Sequence, residues 1–360
     1  MEFLRSPSSP LHYFAVQLDR TPFIPGTGEF GAGFDNDTAV YNVVQNNLVR
    51  LCLLAAADME EAEGDRRTAE EYRTKAQKLD DNLLKHFVDA DGGWIWCIRG
   101  EDLQPDEKIL SAPENIGFAG INGVAAMSAD VSGLQVLQNG WPGAAVCRRT
   151  FERLNRFPDR KAIFDQQGMY IQFDQYCGGR LTSPSYGQGY AIQTMLLLDR
   201  LDMAEKALQW LATQTYQPPS FYAPDRLSPF HFYERYFAPD APEKTDTDQG
   251  CGALNLVNVG EPLKIARLLA GIDNTNRKSL RLLPRLPDSW DGYAARHWPL
   301  VTEGGIVYVD ITYRQKGDHG ALSLHTYDGR PLPALELPPQ AENRHPATAY
   351  TDVEDLELTW

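Results

Sequence analysis

The spacing of apolar residues changes its period once along this chain, and that change limits the folds that the chain can adopt. Up to about residue 270, apolar residues recur with the period of amphipathic helices, in pairs of segments joined by short turns. From Lys278 onwards they alternate with polar residues, as in strands that bury one face. The sequence therefore predicts two domains, a mainly α domain over residues 1–274 and an antiparallel β-sandwich over residues 275–360.

Helical hairpins in series predict the architecture of the first domain. Its predicted helices lie at about 37–62, 67–87, 115–129, 144–154, 191–201, 203–212 and 253–270. Residues 1–30 hold prolines and glycines that leave little room for a helix, and residues 160–185 and 218–242 are predicted to be long connections. Such hairpins, with long connections gathered at one end, build an (α/α) toroid whose rim carries the site. About four hairpins are fewer than a closed six-hairpin barrel needs. Either short helices are missed by the periodicity or the N-terminal hairpins are missing from this chain, and the start of the sequence within a loop favours the second.

Strands are predicted at few places outside the second domain. A short β segment at 94–98 follows an Asp-Gly turn. Within the second domain, the predicted strands lie at 280–284, 306–313, 322–326 and 356–360.

Charge and composition disfavour several classes of partner. The formal net charge of −15 argues against nucleic acid, because phosphates require clustered Lys and Arg. No apolar run is long enough to span a membrane, and residues 1–11 lack the basic start and apolar core of a secretory signal. The five cysteines are scattered without the paired spacing of metal ligands, which predicts buried thiols in a cytoplasmic protein without a metal or cofactor.

Aromatic residues make up 11% of the chain, and many of them lie in the predicted connections. A recurrent set of this kind favours a concave site for a ligand with flat faces, such as a sugar ring. Each aromatic residue taken alone is explained equally well by a small core. The candidate contacts to such a ligand are Trp94, Trp96, Tyr186, Gln188, Phe230, His231 and Tyr236.

A glycine-rich stretch delivers carboxylates to the start of the first predicted helix. Asp37 or Thr38 can cap that helix by accepting hydrogen bonds from backbone N–H groups. One such side chain is enough for a cap, so Asp35 is not needed for capping. Asp35 is then either a charge favoured by the helix dipole or a functional acid. Glu234, a second carboxylate in an aromatic-rich segment, favours the functional interpretation. Asp248 is a further site candidate, although it is also a good helix N-cap.

Two short motifs and the second domain resemble known glycosidases. Gly33-Phe34-Asp35-Asn36 resembles the Gly-x-Asp-Asn segment of α/α-toroid glycosidases such as glycoside hydrolase family 63 and the trehalases. Phe232-Tyr233-Glu234-Arg235-Tyr236 resembles their downstream Glu-x-Tyr segment. Residues 282–287, 290–292 and 304–305 look like the sandwich that follows the toroid in α-L-rhamnosidases. The resemblance implies a bacterial-type glycoside hydrolase whose substrate is an oligosaccharide or another glycoside.

The resemblance also implies a role for each carboxylate. In those families the aspartate is the general acid and the glutamate the general base, so Asp35 and Glu234 take these roles here. In an inverting glycosidase the acid protonates the leaving oxygen and the base activates water on the opposite face, with the carboxyls about 6.5–9.5 Å apart. The remaining candidate substrate contacts are Phe34, Asn36, Asp37 and Asp248.

Departures from the family patterns leave the sugar, the linkage and the anomer open. Asp37-Thr38 stands where proline or an aromatic residue is usual, and Tyr186-Gly187-Gln188-Gly189 replaces a Tyr-Trp-Arg-Gly-Pro-like segment. Other functions stay open as well. A toroid epimerase or lyase needs a histidine pair, of which His231 is the one well-placed member, and a phosphorylase needs a basic phosphate pocket in place of Glu234. A non-catalytic carbohydrate-binding protein or an inactive fragment keeps the aromatic cleft but holds its carboxylates apart. The oligomeric state is open too.

Overall fold

The structure, a computed structural model, shows helices at most of the predicted positions. It describes residues 6–25, 40–95, 97–105, 143–154, 164–168, 172–174, 180–216, 235–237, 256–273, 277–327, 329–337 and 348–360. The helices are α1 (Pro10–Arg20), α2 (Val43–Ala62), α3 (Arg66–His86), α4 (Gly143–Leu154), α5 (Ser185–Leu197), α6 (Leu201–Tyr216) and α7 (Leu256–Ala270). Helix α5 begins and ends earlier than predicted, and the helix predicted at 115–129 lies outside the described residues.

Helix α1 contradicts the prediction that residues 1–30 leave little room for a helix. Pro10 lies in its first turn, where the missing N–H of proline costs no intrahelical hydrogen bond. Ser9 caps the helix, because its hydroxyl accepts a hydrogen bond from the N–H of Leu11 at 3.1 Å. The buried side chains of α1 are Leu11, Ala15 and Leu18. A proline read as a helix breaker is therefore a helix starter here.

Helices α2 and α3 form the hairpin that the sequence predicts. The turn between them contains Gly64, whose φ of +89° lies in the region that favours glycine. Asp65 caps α3 by accepting from the N–H of Thr68 at 3.1 Å. Beyond the end of α3, the ring of Phe87 packs edge-on against Phe23 with centroids 5.1 Å apart. The apolar side chains that α3 buries are Ala69, Tyr72, Ala76, Leu79 and Leu83.

Among the described residues, five short strands lie outside the sandwich, and four of them occur where the sequence predicts helix or irregular connections. They are β1 (Val40–Asn42), β2 (Cys97–Arg99), β3 (Gln172–Asp174), β4 (Arg180–Pro184) and β5 (Arg235–Phe237). Strands β1 and β2 pair with each other, and β3, β4 and β5 form an antiparallel sheet in that order. Strand β2 partly confirms the predicted β segment, whereas β1 replaces part of a predicted helix and β3–β5 replace predicted loop.

The C-terminal part of the chain consists of two four-stranded sheets. Their strands are β6 (Ile272–Asp273), β7 (Leu280–Leu282), β8 (Gly292–Thr302), β9 (Gly305–Lys316), β10 (His319–Thr326), β11 (Leu332–Leu337), β12 (Thr348–Val353) and β13 (Asp355–Thr359). One sheet has the order β13-β10-β9-β8 with antiparallel pairs throughout. The other has the order β12-β11-β7-β6, in which β11 and β7 run parallel.

The alternation in the sequence corresponds to burial of one face of each strand. In β9 the buried side chains are Val307, Val309, Ile311 and Tyr313, and the residues between them lie on the outer face. Strands β7, β9, β10 and β13 confirm the predicted ones, and β6, β8, β11 and β12 were not predicted. The fold class is thus helical with a β-sandwich, and the toroid stays a prediction.

The chain divides into two compact units. The first comprises residues 1–131, 140–191 and 233–250 and contains α1–α4 and β1–β5. The second comprises residues 132–139, 192–232 and 251–360 and contains α6, α7 and β6–β13, while α5 contributes residues to both. The domain boundary at residue 274 stays a prediction.

In the second unit, the end of α7 is hydrogen-bonded to the segment that follows β7. The N–H of Leu283 donates to the carbonyl of Gly271 at 2.9 Å, and the N–H of Arg285 donates to the carbonyl of Leu269 at 2.9 Å. The guanidinium of Arg285 is fully buried, with its Nε 3.7 Å from a carboxylate oxygen of Asp199. Burial lowers the pKa of Arg285 to about 10, although nearby carboxylates oppose the shift.

Candidate functional site

Most of the predicted site residues lie outside the described part of the chain. These residues are Phe34, Asp35, Asn36, Asp37, Trp96, Phe230, His231, Glu234 and Asp248. Tyr186 and Tyr236 are described by their backbone, in α5 and β5 respectively. The roles of all these residues stay predictions.

The register of β4 and β5 brings two of the predicted segments together. Pro184, the last residue of β4, pairs with Arg235, which directly follows Glu234 in the chain. The neighbouring pair joins Ser183 to Tyr236. Because α5 begins immediately after β4, the segment that carries Tyr186 starts beside the strand that follows Glu234. The pairing links chain segments that the sequence analysis joined only by their residue types.

Trp94 and Gln188, the predicted contacts whose side chains are described, are both buried. The indole N–H of Trp94 donates to Sγ of Cys147 at 3.4 Å, and its backbone N–H donates to the hydroxyl of Thr150 at 2.8 Å. The side-chain amide of Gln188 donates to the carbonyl of Gly168 at 3.0 Å. These bonds hold α4 to the loop before β2 and hold α5 to residue 168. The proposed role of Trp94 and Gln188 as substrate contacts stays a prediction.

The structure also contains a polar and aromatic cluster that the sequence analysis did not identify. It lies on the outer face of the sheet β13-β10-β9-β8, and we call it the Asp310 cluster. The carboxylate of Asp310 accepts hydrogen bonds from the backbone N–H of His297 at 2.7 Å, the hydroxyl of Tyr327 at 2.8 Å and the guanidinium of Arg296 at 3.0 Å. The members of the cluster are Arg296, His297, Tyr308, Asp310, His325 and Tyr327.

Strand pairing builds this cluster from three separate segments. Asp310 in β9 lies opposite His325 in β10, and the N–H of Tyr327 donates to the carbonyl of Tyr308 at 3.1 Å. On the other side of β9, an irregularity in the pairing of β8 allows His297 to point its N–H at Asp310. The alternation within one strand predicts which of its residues face outward. It does not predict which residues of the next strand lie beside them.

Hydrogen bonding changes the acidity of two groups in the cluster. The N–H of His297, the hydroxyl of Tyr327 and the guanidinium of Arg296 lower the pKa of Asp310 below its ordinary value of 3.8, because they stabilise the carboxylate. The same hydrogen bond raises the pKa of Tyr327, because losing its proton would leave two negative groups facing each other.

The Asp310→Asn substitution is expected to destabilise the protein at neutral pH and to have a diminishing effect in acid. The lowered pKa means that the unfolded chain takes up the proton first, so the stabilisation is present above about pH 4 and is lost as the pH falls through the folded-state pKa. Urea unfolding of both proteins at several pH values measures the difference.

The control for this prediction is Asp318→Asn, in the exposed turn between β9 and β10. It removes the same charge from an exposed side chain, so it measures what the loss of one negative charge alone does to the free energy of unfolding. A destabilisation by Asp310→Asn that stays constant from neutral to acidic pH would contradict the prediction.

Two kinds of feature are absent from the described residues. Among the helices of the described ranges, none is both long and apolar enough to cross a membrane. In that same part of the chain, no group of three or more His, Cys, Asp and Glu side chains is arranged to hold a metal ion.

The fold is similar to part of a solved glycoside hydrolase. A rhamnosidase of family GH78 from Bacillus sp. GL1 matches with a TM-score of 0.50 and 11% identity, over 85% of this chain and 28% of that one. An α-L-rhamnosidase from Dictyoglumus thermophilum matches with a TM-score of 0.46 and 10% identity, over 91% and 31%. A sialidase matches with a TM-score of 0.49 and 12% identity, over 97% and 30%.

The chain spans less than a third of the length of each of these proteins. At 11% identity the match to the GH78 rhamnosidase shows a shared fold and assigns no residue a role. No protein-family profile matches the chain, and no curated relative matches it. The fold is therefore a helical and β-sandwich arrangement of the kind that occurs within a glycoside hydrolase.

Proposed function

We propose that this chain forms part of an inverting glycoside hydrolase, with an (α/α) toroid over residues 1–274 and a sandwich over residues 275–360. The observation that carries the proposal is the fold, in which helices precede two four-stranded sheets and which is similar to part of a GH78 rhamnosidase. The two carboxylate motifs add to it, because they resemble the acid and base segments of toroid glycosidases. The resemblance to family 63 and the trehalases belongs to this proposal as well.

In this proposal, Asp35 protonates the leaving oxygen and Glu234 activates the attacking water. The acid must keep its proton near neutral pH, which requires poor solvation or a neighbouring negative charge. Asp37 or Asp248 supplies such a charge. Aromatic residues at the rim bind the sugar faces, and the pairing of β4 with β5 supports a common rim for the segments that carry Tyr186 and Tyr236.

Product stereochemistry tests the proposal directly. The full chain is incubated with a panel of aryl glycosides, beginning with an aryl α-L-rhamnoside because the solved neighbour is a rhamnosidase. Proton NMR of the first product is expected to show the anomer opposite to that of the substrate. A first product of retained configuration would overturn the inverting mechanism, and absence of hydrolysis across the panel would overturn the activity of this chain.

A further inference from the structure

We propose that the Asp310 cluster is a binding surface for neutral saccharides, built from residues other than those of the predicted hydrolytic site. The imidazole of His297 stacks on the ring of Tyr308, with centroids 4.3 Å apart and planes inclined by 12°. The ring of Tyr327 meets His297 edge-on at 4.6 Å, and 45% of Tyr327 is exposed. Three rings therefore form a small aromatic surface at one end of an outer sheet face, and such rings pack against the C–H faces of sugars.

The surface is held rigid before any ligand arrives. His297 has a φ of +52°, a strained conformation that non-glycine residues rarely adopt. The hydrogen bond from its N–H to Asp310 and the stacking on Tyr308 hold it there. Backbone strain of this kind occurs preferentially at ligand sites, because it fixes the direction of a side chain. A preformed surface loses little entropy when it binds.

Polar groups flank the rings on two sides and suit sugar hydroxyls. The side chain of Arg296 is 63% exposed and gives one hydrogen bond to Asp310, so its guanidinium has further N–H donors. On the opposite flank, the imidazole of His325 pairs with the carboxylate of Asp355, and both side chains are exposed. A donor on one flank and a carboxylate acceptor on the other match the hydroxyls of a pyranose.

The negative charges around the surface favour a neutral saccharide over an acidic one. Asp310 and Asp355 lie within or beside the surface, and the whole chain carries a formal charge of −15, so an acidic polysaccharide would be repelled. A protein partner would require a broad apolar surface. The exposed apolar side chains beside the rings are Val301 and Ile306, which pair with each other across one hairpin and cover little area.

Affinity electrophoresis of the full chain tests the inference. Native gels contain xyloglucan, galactomannan, arabinoxylan or dextran as neutral probes, or polygalacturonate as an acidic one. At least one neutral polysaccharide is expected to retard the chain more strongly than polygalacturonate. The Tyr327→Ala substitution should weaken that binding by about tenfold or more, because it removes an exposed ring of the aromatic surface. Tyr327→Phe keeps the ring and should retain most of the binding.

Tyr13→Ala is the matched control, because Tyr13 is also about half exposed but lies on α1 in the other unit. It should leave the retardation unchanged. If the Tyr327→Ala variant does not fold, the Arg296→Ala variant tests the inference instead. The side chain of Arg296 is exposed, so its removal leaves no cavity in the core. Weaker binding by Arg296→Ala supports the inference, and unchanged binding overturns it.

Three further outcomes overturn the inference. They are no retardation by any neutral probe, stronger retardation by polygalacturonate, and equal binding by folded Tyr327→Ala and the wild type. Hydrolysis of a small aryl glycoside is followed in the same samples. Because the gels measure binding and the aryl glycoside measures turnover, failure of the hydrolase proposal and failure of this one give different results.

Discussion

Replacing Asp35 with asparagine is expected to lower kcat on an alkyl glycoside by roughly 10²- to 10⁴-fold, because asparagine cannot protonate the leaving oxygen. The loss should be much smaller on a dinitrophenyl glycoside, whose leaving group departs without a proton. Steady-state rates on both substrates measure the contrast. An equal loss on the two substrates would mean that Asp35 does not act as the general acid.

Glu234→Gln should behave differently, because every substrate needs an activated water whatever its leaving group. We expect roughly the same 10²- to 10⁴-fold loss of kcat on the alkyl and the dinitrophenyl glycoside. Normal turnover by this variant would remove Glu234 from the mechanism and would favour the phosphorylase or epimerase alternatives.

Two exposed carboxylates provide matched controls for these variants. Asp318→Asn and Glu63→Gln make the same chemical changes in exposed turns outside both motifs. Both should keep wild-type kcat on both glycosides. If they lose activity as well, the loss reflects net charge or folding rather than removal of an acid or a base.

The helices were largely predictable because their apolar faces repeat within one segment. The hairpin of α2 and α3 follows from local spacing, from the turn at Gly64 and from the cap at Asp65, all of which lie within one stretch of chain. Helix α1 was missed because the position of Pro10 decides its effect. A proline disrupts a helix interior but fits the first turn, where Ser9 can serve as the cap.

The register between the strands, and with it the Asp310 cluster, could not be predicted from the sequence. Strand β9 alternates clearly, and its prediction is confirmed, but β8 is interrupted by the irregularity after Ala295. The same irregularity turns the N–H of His297 towards Asp310. Cross-strand register is a property of the folded sheet, so no local sequence pattern predicts that the hydroxyl of Tyr327 donates a hydrogen bond to Asp310. The predicted pair of Asp35 and Glu234 likewise depends on tertiary structure, and it stays a prediction.

Gly271→Ala is expected to cause the largest loss of stability among the substitutions considered for the second unit. Gly271 follows α7 with a φ of +67°, and a Cβ atom there would lie 1.9 Å from the carbonyl oxygen of Leu283. That oxygen belongs to the backbone, so it cannot move aside without breaking the hydrogen bond between Leu283 and Gly271. Strain and overlap together should cost about 3 kcal/mol or more in the free energy of unfolding, measured by urea denaturation.

The Gly317→Ala substitution separates the cost of backbone strain from the cost of steric overlap. Gly317 also has a positive φ, +57°, but a Cβ atom there would have no atom within 4 Å apart from those of Gly317 and its two chain neighbours. It should therefore cost only the conformational strain of about 1 kcal/mol. Equal losses for the two variants would mean that the backbone contact with Leu283 is relieved at no cost, and that the end of α7 is not fixed to the segment after β7. A clearly larger loss for Gly271→Ala would show that this close approach of helix and strand backbone is required for the stability of the unit.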